Sequence, residues 1–297
     1  ASSDLKARQS LHRLKKPLLL SAFCCIRKNF LCMFDFERVI ALFGVIAGTG
    51  FYNWDLIENQ KEKTIDTPYG EATVYLGAVN GMQAVFLPRH KKNHSVPPHK
   101  INYRANIYAL HKIGVTRLVA INAVGSLDKS IAPGEIVLAD DFLDFTWGRE
   151  HTFYDGENCR VGHADMNNCY CRDWQNLIKK AAEKADIKLH TNGVYVATQG
   201  PRFETRAEIR AYQKMGGTVV GMTGVPECPL AVEMGICYAG LSYITNYACG
   251  VCGSLNGEEI SSVIAKTKGK LEHLLRVIAD DYTENRNCEC GIEKCLL

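Results

Sequence analysis

With 297 residues, 46% of them hydrophobic, the chain can bury one large core or two small ones, and its composition reads as soluble and globular. The net charge of +3 hides an asymmetry: residues 1–34 hold seven Lys/Arg against the single acid Asp4, so that stretch carries +6 and residues 35–297 carry −3. A body of that sign is no electrostatic partner for nucleic acid, and thirteen cysteines spread along so long a chain suit a reducing compartment, the cytoplasm, better than a disulfide scaffold.

The chain begins with the basic, acid-poor "LKARQSLHRLKK" and the apolar run "PLLLSAFCCI", which has signal-peptide length but is too short to cross a bilayer. One reading is a targeting segment. The other is that Met33 is the working start and residues 1–32 are a non-functional extension. The organisation expected is an N-terminal extension over 1–35, one α/β domain over 36–283 with a mixed central sheet flanked by helices, and a cysteine-containing tail over 284–297.

"VIALFGVIAG" (39–48) predicts a buried strand, and "ATVYLGAVNGMQAVFLP" (72–88) predicts a hairpin turning at Asn80-Gly81. Further strands are expected near 117–122, 135–140, 192–198, 217–222 and 237–245, with helical spacing over 174–185 and 260–278. Ligands of open α/β sheets sit beyond the carboxyl ends of strands, so residues where the apolar runs stop are the informative ones.

The first strand stops at "GVIAGTG" (44–50), where glycines let the backbone approach an anion and Thr49 adds a hydroxyl. No Lys-Ser/Thr follows, as a Walker loop requires, and a purely structural glycine turn is the other reading. The next stops at "PRHKKNH" (88–94), placing Arg89 and His90 at a strand end. An arginine fork matches phosphate oxygens, although a solvated basic loop would look the same. Pro97 and Pro98 keep His90, His94 and His99 off one helix face, which disfavours a metal site there.

"NAVGSL" (122–127) ends a third strand with small residues suited to a backbone N–H at an anion. "QGPRFETRAE" (199–208) offers the Phe203 ring to stack on a planar base and the Glu204 carboxylate to accept from a ring N–H. Equally, Glu204 is an acid at a helix N-terminus, where it favours the dipole. "GMTGVPE" (221–227) supplies Met222 and Thr223, and "SYITNYACG" (242–250) ends an apolar strand on Asn246, either a turn residue or a reader of ligand.

Taken in order, "GTG", "RH", "NYRAN", "NAVGS", "FYDG", "GPRFETRAE", "MTGVPE" and "TNYACG" make residues 44–280 resemble the nucleoside phosphorylases that include trimeric purine nucleoside phosphorylases and methylthioadenosine phosphorylases. The resemblance implies reversible phosphorolysis of a purine nucleoside to base and pentose 1-phosphate, with no cofactor beyond inorganic phosphate as co-substrate. Residue by residue it implies a phosphate site of Thr49, Arg89, His90, the Ala123 backbone and Thr223. Met222 would lie under the ribose, and Phe203, Glu204 and Asn246 would hold the base, with Asn246, Glu204 and His90 closest to the chemistry.

A 6-oxopurine leaves as an anion with charge at N7 and O6, which the Asn246 amide can meet as a donor, while Glu204 can accept from N1–H. Methylthioadenosine phosphorylases resemble this chain but carry an aspartate at the position of Asn246. Inosine and guanosine are thus the expected substrates. In 6-oxopurine phosphorylases a histidine near the start of the last long helix meets the 5′-hydroxyl, whereas this chain reads "SLNGEEI" (254–260) there, so methylthioinosine or methylthioadenosine remains an alternative. A non-catalytic nucleoside-binding protein is the alternative of another class. The resemblance also implies a homotrimer, or a hexamer, with no nucleic-acid or membrane partner.

Cys249 and Cys252 form a C-x-x-C, and Cys288, Cys290 and Cys295 lie in the tail. A redox pair or zinc site is one reading, but the glycines around the C-x-x-C make it loop-like. Solvent-accessible cysteines kept reduced are the other, and no metal site is expected.

Overall fold

The computed structural model describes residues 42–48, 50–51, 56–91, 95–156, 161–253, 256–291 and 295–296. The N-terminal extension, Thr49, His94, the backbone before Leu42 and the side chain of Cys295 lie outside them.

Among the described residues nine strands make one sheet: β1 (Leu42–Ala47), β2 (Glu58–Thr67), β3 (Gly70–Val79), β4 (Met82–Pro88), β5 (Val115–Ser126), β6 (Ile136–Phe145), β8 (Leu189–Thr198), β9 (Val219–Gly221) and β10 (Cys237–Tyr247). The pair β7 (His163–Ala164) and β11 (Cys295–Leu296) stands apart. The order is β10-β6-β8-β9-β5-β1-β4-β3-β2, and β10 also pairs with β5, so β5, β10, β6, β8 and β9 close into a ring. Parallel β1–β4, β1–β5 and β10–β5 ladders bring the carboxyl ends of those strands to one side. Strand β9 enters antiparallel to the tip of β5, with Gly125 opposite Val220, and so delivers the residues after Gly221 to the same place.

Both faces of the sheet are covered, and side-chain alternation says by what. Phe43, Val45, Val119 and Ile121 point into a layer with α2 (Arg172–Lys184) and α5 (Gly257–Asp280), through Trp174, Ile178, Leu271 and Leu275. Ile46, Leu118 and Ala120 point the other way, toward α1 (Tyr103–Lys112) and α4 (Gly224–Glu233), through Ile107, Leu110, Leu230 and Ala231. Each such side chain, removed from water, contributes about 1.5–3 kcal/mol, so the period-two pattern fixes which face every strand-end residue takes. Among the described residues no helix is long and apolar enough to cross a membrane.

The hairpin turns where expected, with Asn80 at φ 49° and Gly81 at φ 77°. Strand β2 was not expected. Its "ENQKEKTIDT" exposes almost every side chain except Ile65, as an edge strand protected by charge does, and so it carries no apolar alternation. Helix α4 was missed for the opposite reason: it is buried nearly all round and shows no stripe.

Candidate active site

The strand ends converge on one cavity of about 490 Å3. Its walls include every described residue that the sequence singled out for phosphate or base: Arg89, His90, Ala123, Phe203, Glu204, Met222, Thr223 and Asn246. Thr49 follows the cavity-lining Gly48 but lies outside the described residues.

The backbone N–H of Arg89 donates to the Ala47 carbonyl at 2.8 Å, extending the β1–β4 ladder and delivering the Arg89 and His90 side chains beside Gly48. A Cβ on Gly48 would stand 2.7 Å from His90 Cδ2, so a glycine is what lets the imidazole lie against the loop. Arg89 and His90 are only 2% and 4% exposed, which excludes the solvated basic loop. The His90 Nδ1 donates to the Val96 carbonyl at 2.8 Å, and that carbonyl, able only to accept, assigns the proton to Nδ1.

Arg89 is oriented from behind by Glu227. Nε and Nη2 donate to its two carboxylate oxygens at 2.7 and 2.8 Å, and Nη1 donates to the Ile121 carbonyl at 2.9 Å. Three of the five N–H groups of the guanidinium are thereby committed, and the other two have no partner among the described residues. Burial pulls the Arg89 pKa down, but the charge and hydrogen bonds of Glu227 more than offset it, so the group stands above its ordinary value. Tyr238 Oη donates a third hydrogen bond to Glu227, at 2.9 Å.

Thr223 precedes α4. Its backbone N–H and that of Gly224 both donate to Tyr195 Oη at 3.2 Å, so these N–H groups are already engaged and Thr223 faces the cavity as a hydroxyl. That hydroxyl reaches Asn122 Oδ1 at 3.2 Å. Ala123 is the only exposed residue in β5, because it faces the cavity rather than a packed layer.

At the other end of the cavity the two readings of Glu204 separate. Helix α3 (Arg206–Lys214) is capped by Thr205, in a capping box with Glu208, so Glu204 is not the acid serving that helix. Instead it is buried and accepts from Thr198 Oγ1 at 2.7 Å. Phe203 beside it is 54% exposed, an apolar ring at the cavity edge.

Asn246 is no turn residue. The β10–β5 register shifts between Ile244 and Asn246, a bulge that sets consecutive Thr245 and Asn246 both on the cavity, where strict alternation would send one away. Asn246 Oδ1 lies 2.7 Å from the Thr245 hydroxyl that donates to it, and Nδ2 donates to the Tyr247 carbonyl at 2.9 Å, which orients the amide.

Arg149 holds these pieces in register. It is buried and donates to the carbonyls of Met222, Val225, Thr198 and Gln199 at 2.7–3.2 Å, tying the segment before Glu204 to the one carrying Met222 and Thr223. Sequence reasoning passed over Arg149, Asn122, Thr198 and Glu227. For Glu227 a signal existed: a lone acid in the apolar "GVPECPLAV" needs a buried cation.

The cysteines divide. Cys249 lines the cavity and Cys252 is exposed. Cys288 and Cys290, expected as solvent-accessible loop thiols, are half-buried instead. Arg117 Nη2 donates to the Asn285 carbonyl at 2.8 Å and Arg286 Nη1 to the Gly235 carbonyl at 3.0 Å, which draws this segment onto the body.

One cavity thus brings the buried Arg89 and His90 together with an apolar ring, a carboxylate and an amide at Phe203, Glu204 and Asn246. Comparison with known proteins identifies the family. Residues 42–279 match the model of the phosphorylase superfamily. The 6-oxopurine nucleoside phosphorylase of Pyrococcus furiosus is 43% identical over 252 residues, covering 83% of this chain and 95% of its own. The S-methyl-5′-thioadenosine phosphorylase of Thermofilum pendens is 41% identical over 250 residues, covering 84% and 95%. Among solved structures, methylthioadenosine phosphorylase from Schistosoma mansoni in complex with adenine superposes with a TM-score of 0.78 at 32% identity, covering 81% of this chain and 91% of that one. The chain belongs to the phosphorylase superfamily, in the family of purine nucleoside and methylthioadenosine phosphorylases.

Proposed function

We propose that this cleft carries out phosphate-dependent cleavage of 6-oxopurine nucleosides, giving the free base and ribose 1-phosphate. The observation that carries this reading is the orientation of Asn246. Oδ1 accepts from the Thr245 hydroxyl and one Nδ2 N–H is held on the Tyr247 carbonyl, so a second N–H, with no partner among the described residues, is left to donate to a ligand. A donor suits the O6 and N7 of hypoxanthine or guanine. It has no counterpart on the 6-amino group of adenine.

In the reaction a phosphate oxygen forms a bond to C1′ as the C1′–N9 bond breaks, and the electron pair of that bond passes into the purine. Negative charge grows at N7 and O6, where Asn246 donates, and Glu204 as a carboxylate accepts from N1–H. Phosphate is held by Arg89 and His90, with Thr223 and the Ala123 backbone, and its charge faces the cationic sugar. Thr49 is included in this set by sequence alone. Phe203 stacks on the base, and Met222 lies beneath the ribose.

A second reading concerns the 5′ position. Helix α5 presents Ile260 and Ile264 to the cavity, and the family places the 5′ carbon toward the start of that helix. An apolar wall of this kind accommodates a 5′-methylthio group, so methylthioinosine is the second substrate. Phosphate-dependent base release, compared between inosine and methylthioinosine, tests both readings, and release without phosphate contradicts them.

The assembly we propose is a homotrimer in the cytoplasm, with a neighbouring subunit covering the half-exposed Phe203 edge. Light scattering that gives the mass of a single chain would rule it out.

A further inference from the structure

Four cysteines from three separate stretches of the chain converge at the end of the sheet opposite the cleft. The Sγ atoms of Cys171, Cys237, Cys288 and Cys290 all lie within 4.8 Å of one another, and Cys237 and Cys288 are 3.4 Å apart. We propose that these four thiols form a tetrathiolate zinc site that clips the C-terminal segment to the body of the domain.

The geometry suits a shared ion better than a pair of disulfides. A tetrahedron with Zn–S distances of about 2.3 Å has sulfur–sulfur edges of roughly 3.8 Å, whereas a disulfide needs about 2.05 Å. Four sulfurs mutually within 4.8 Å bracket the first value. All-sulfur, four-coordinate sets select zinc or iron among the common metals, and zinc requires no redox partner.

Each ligand is positioned by structure that exists for other reasons. Cys171 is the N-cap of α2, where the helix dipole favours a thiolate, and its backbone N–H donates to the Tyr238 carbonyl at 2.9 Å, beside Cys237. Cys237 opens β10. Cys288 and Cys290 are two residues apart, both half-buried while the intervening Glu289 is exposed, so one short segment supplies two thiols to the cluster and leaves the carboxylate between them in solvent. Arg286 Nη1 lies 3.8 Å from Cys237 Sγ, an N–H···S contact that supports an anionic sulfur from outside the ligand set.

Binding one Zn2+ releases four thiol protons to solvent and leaves a complex of charge −2, which the N-terminus of α2 and Arg286 face. Cys237 and Asn246 lie nine residues apart on β10, so at about 3.3 Å per residue the ion sits roughly 30 Å from the base-binding end of the cleft. Its role is structural.

The full-length chain, purified in reductant without chelator, should contain about one zinc per chain by plasma mass spectrometry. Replacing zinc with Co2+ should produce the intense sulfur-to-cobalt charge-transfer band and the visible bands of a tetrahedral tetrathiolate site. The double variant Cys288→Ser/Cys290→Ser should lose both signals and melt at least about 5 °C lower, while kcat/KM well below its Tm stays within about twofold. A wild-type chain that takes up neither metal overturns the proposal. So does a variant with undiminished metal content, or a disulfide among these four cysteines in the native protein. Should the double variant not fold, the metal content and cobalt spectrum of the wild-type chain decide the question.

Discussion

Asn246 and Glu204 acquire their chemistry from what surrounds them. An asparagine at a strand end is legible in sequence as an oddity, but only the Thr245 and Tyr247 contacts say which end of the amide is turned to the ligand. Asn246→Asp would place an acceptor where a donor stands. The expected outcome is a shift of the inosine to adenosine kcat/KM ratio by about 100-fold or more toward adenosine. An unchanged ratio would show that this residue does not read position 6. Arg89 was legible as a strand-end residue of the cavity, yet its partner was not, because Glu227 lies 138 residues away and only the fold brings them together. Glu227→Gln would leave a buried guanidinium undercompensated. Denaturation should register a loss of about 3 kcal/mol, and the KM for phosphate should rise about tenfold or more, since the two remaining N–H groups lose their fixed direction.

At the scale of elements, two local devices place Glu204 and Asn246 on the cavity. The bulge in β10 turns Thr245 and Asn246 to the same cavity, and the Thr205–Glu208 capping box starts α3 one residue after the cap, leaving Glu204 out of the helix. The sequence left Glu204 with two readings because either acid could have capped the helix. Hydrogen bonds from Arg202 and then Thr205 hold the Glu208 carboxyl down from 4.5 to about 2. A carboxyl whose pKa is lowered by folding contributes stability above its unfolded value, and that contribution disappears as pH falls through the folded value. The Tm gap between the native chain and Glu208→Gln should therefore be constant above about pH 5 and close between about pH 4.5 and 2. The pair with Arg202 is largely solvent-exposed, so the gap corresponds to less than about 1 kcal/mol. A gap that widens in acid would contradict this assignment. Elements with clean periodicity, such as the Asn80-Gly81 hairpin and helices α2 and α5, were legible. Strand β2 and helix α4 were not, since one is exposed on nearly every side and the other buried on nearly every side.

For the molecule as a whole, function follows from topology. A mixed sheet closed through β10–β5 brings the ends of β1, β4, β5 and β10 to one cavity and holds the start of β10 about a strand's length away. One end of the sheet is thus free to form a cleft while the other gathers the four cysteines. Much of the cavity lining was legible, because Arg89, His90, Ala123, Met222, Thr223 and Asn246 stand where apolar runs stop. The thiol cluster was not, since Cys171, Cys237 and the Cys288/Cys290 pair share no spacing that sequence could display. The most direct measurement is base release from inosine, guanosine, methylthioinosine, methylthioadenosine and adenosine, each with and without inorganic phosphate. Release from the 6-oxo compounds that requires phosphate, with the 6-amino compounds slower by about 100-fold or more, is the result predicted. Equal or faster release from adenosine or methylthioadenosine, or release from any of them without phosphate, would contradict it.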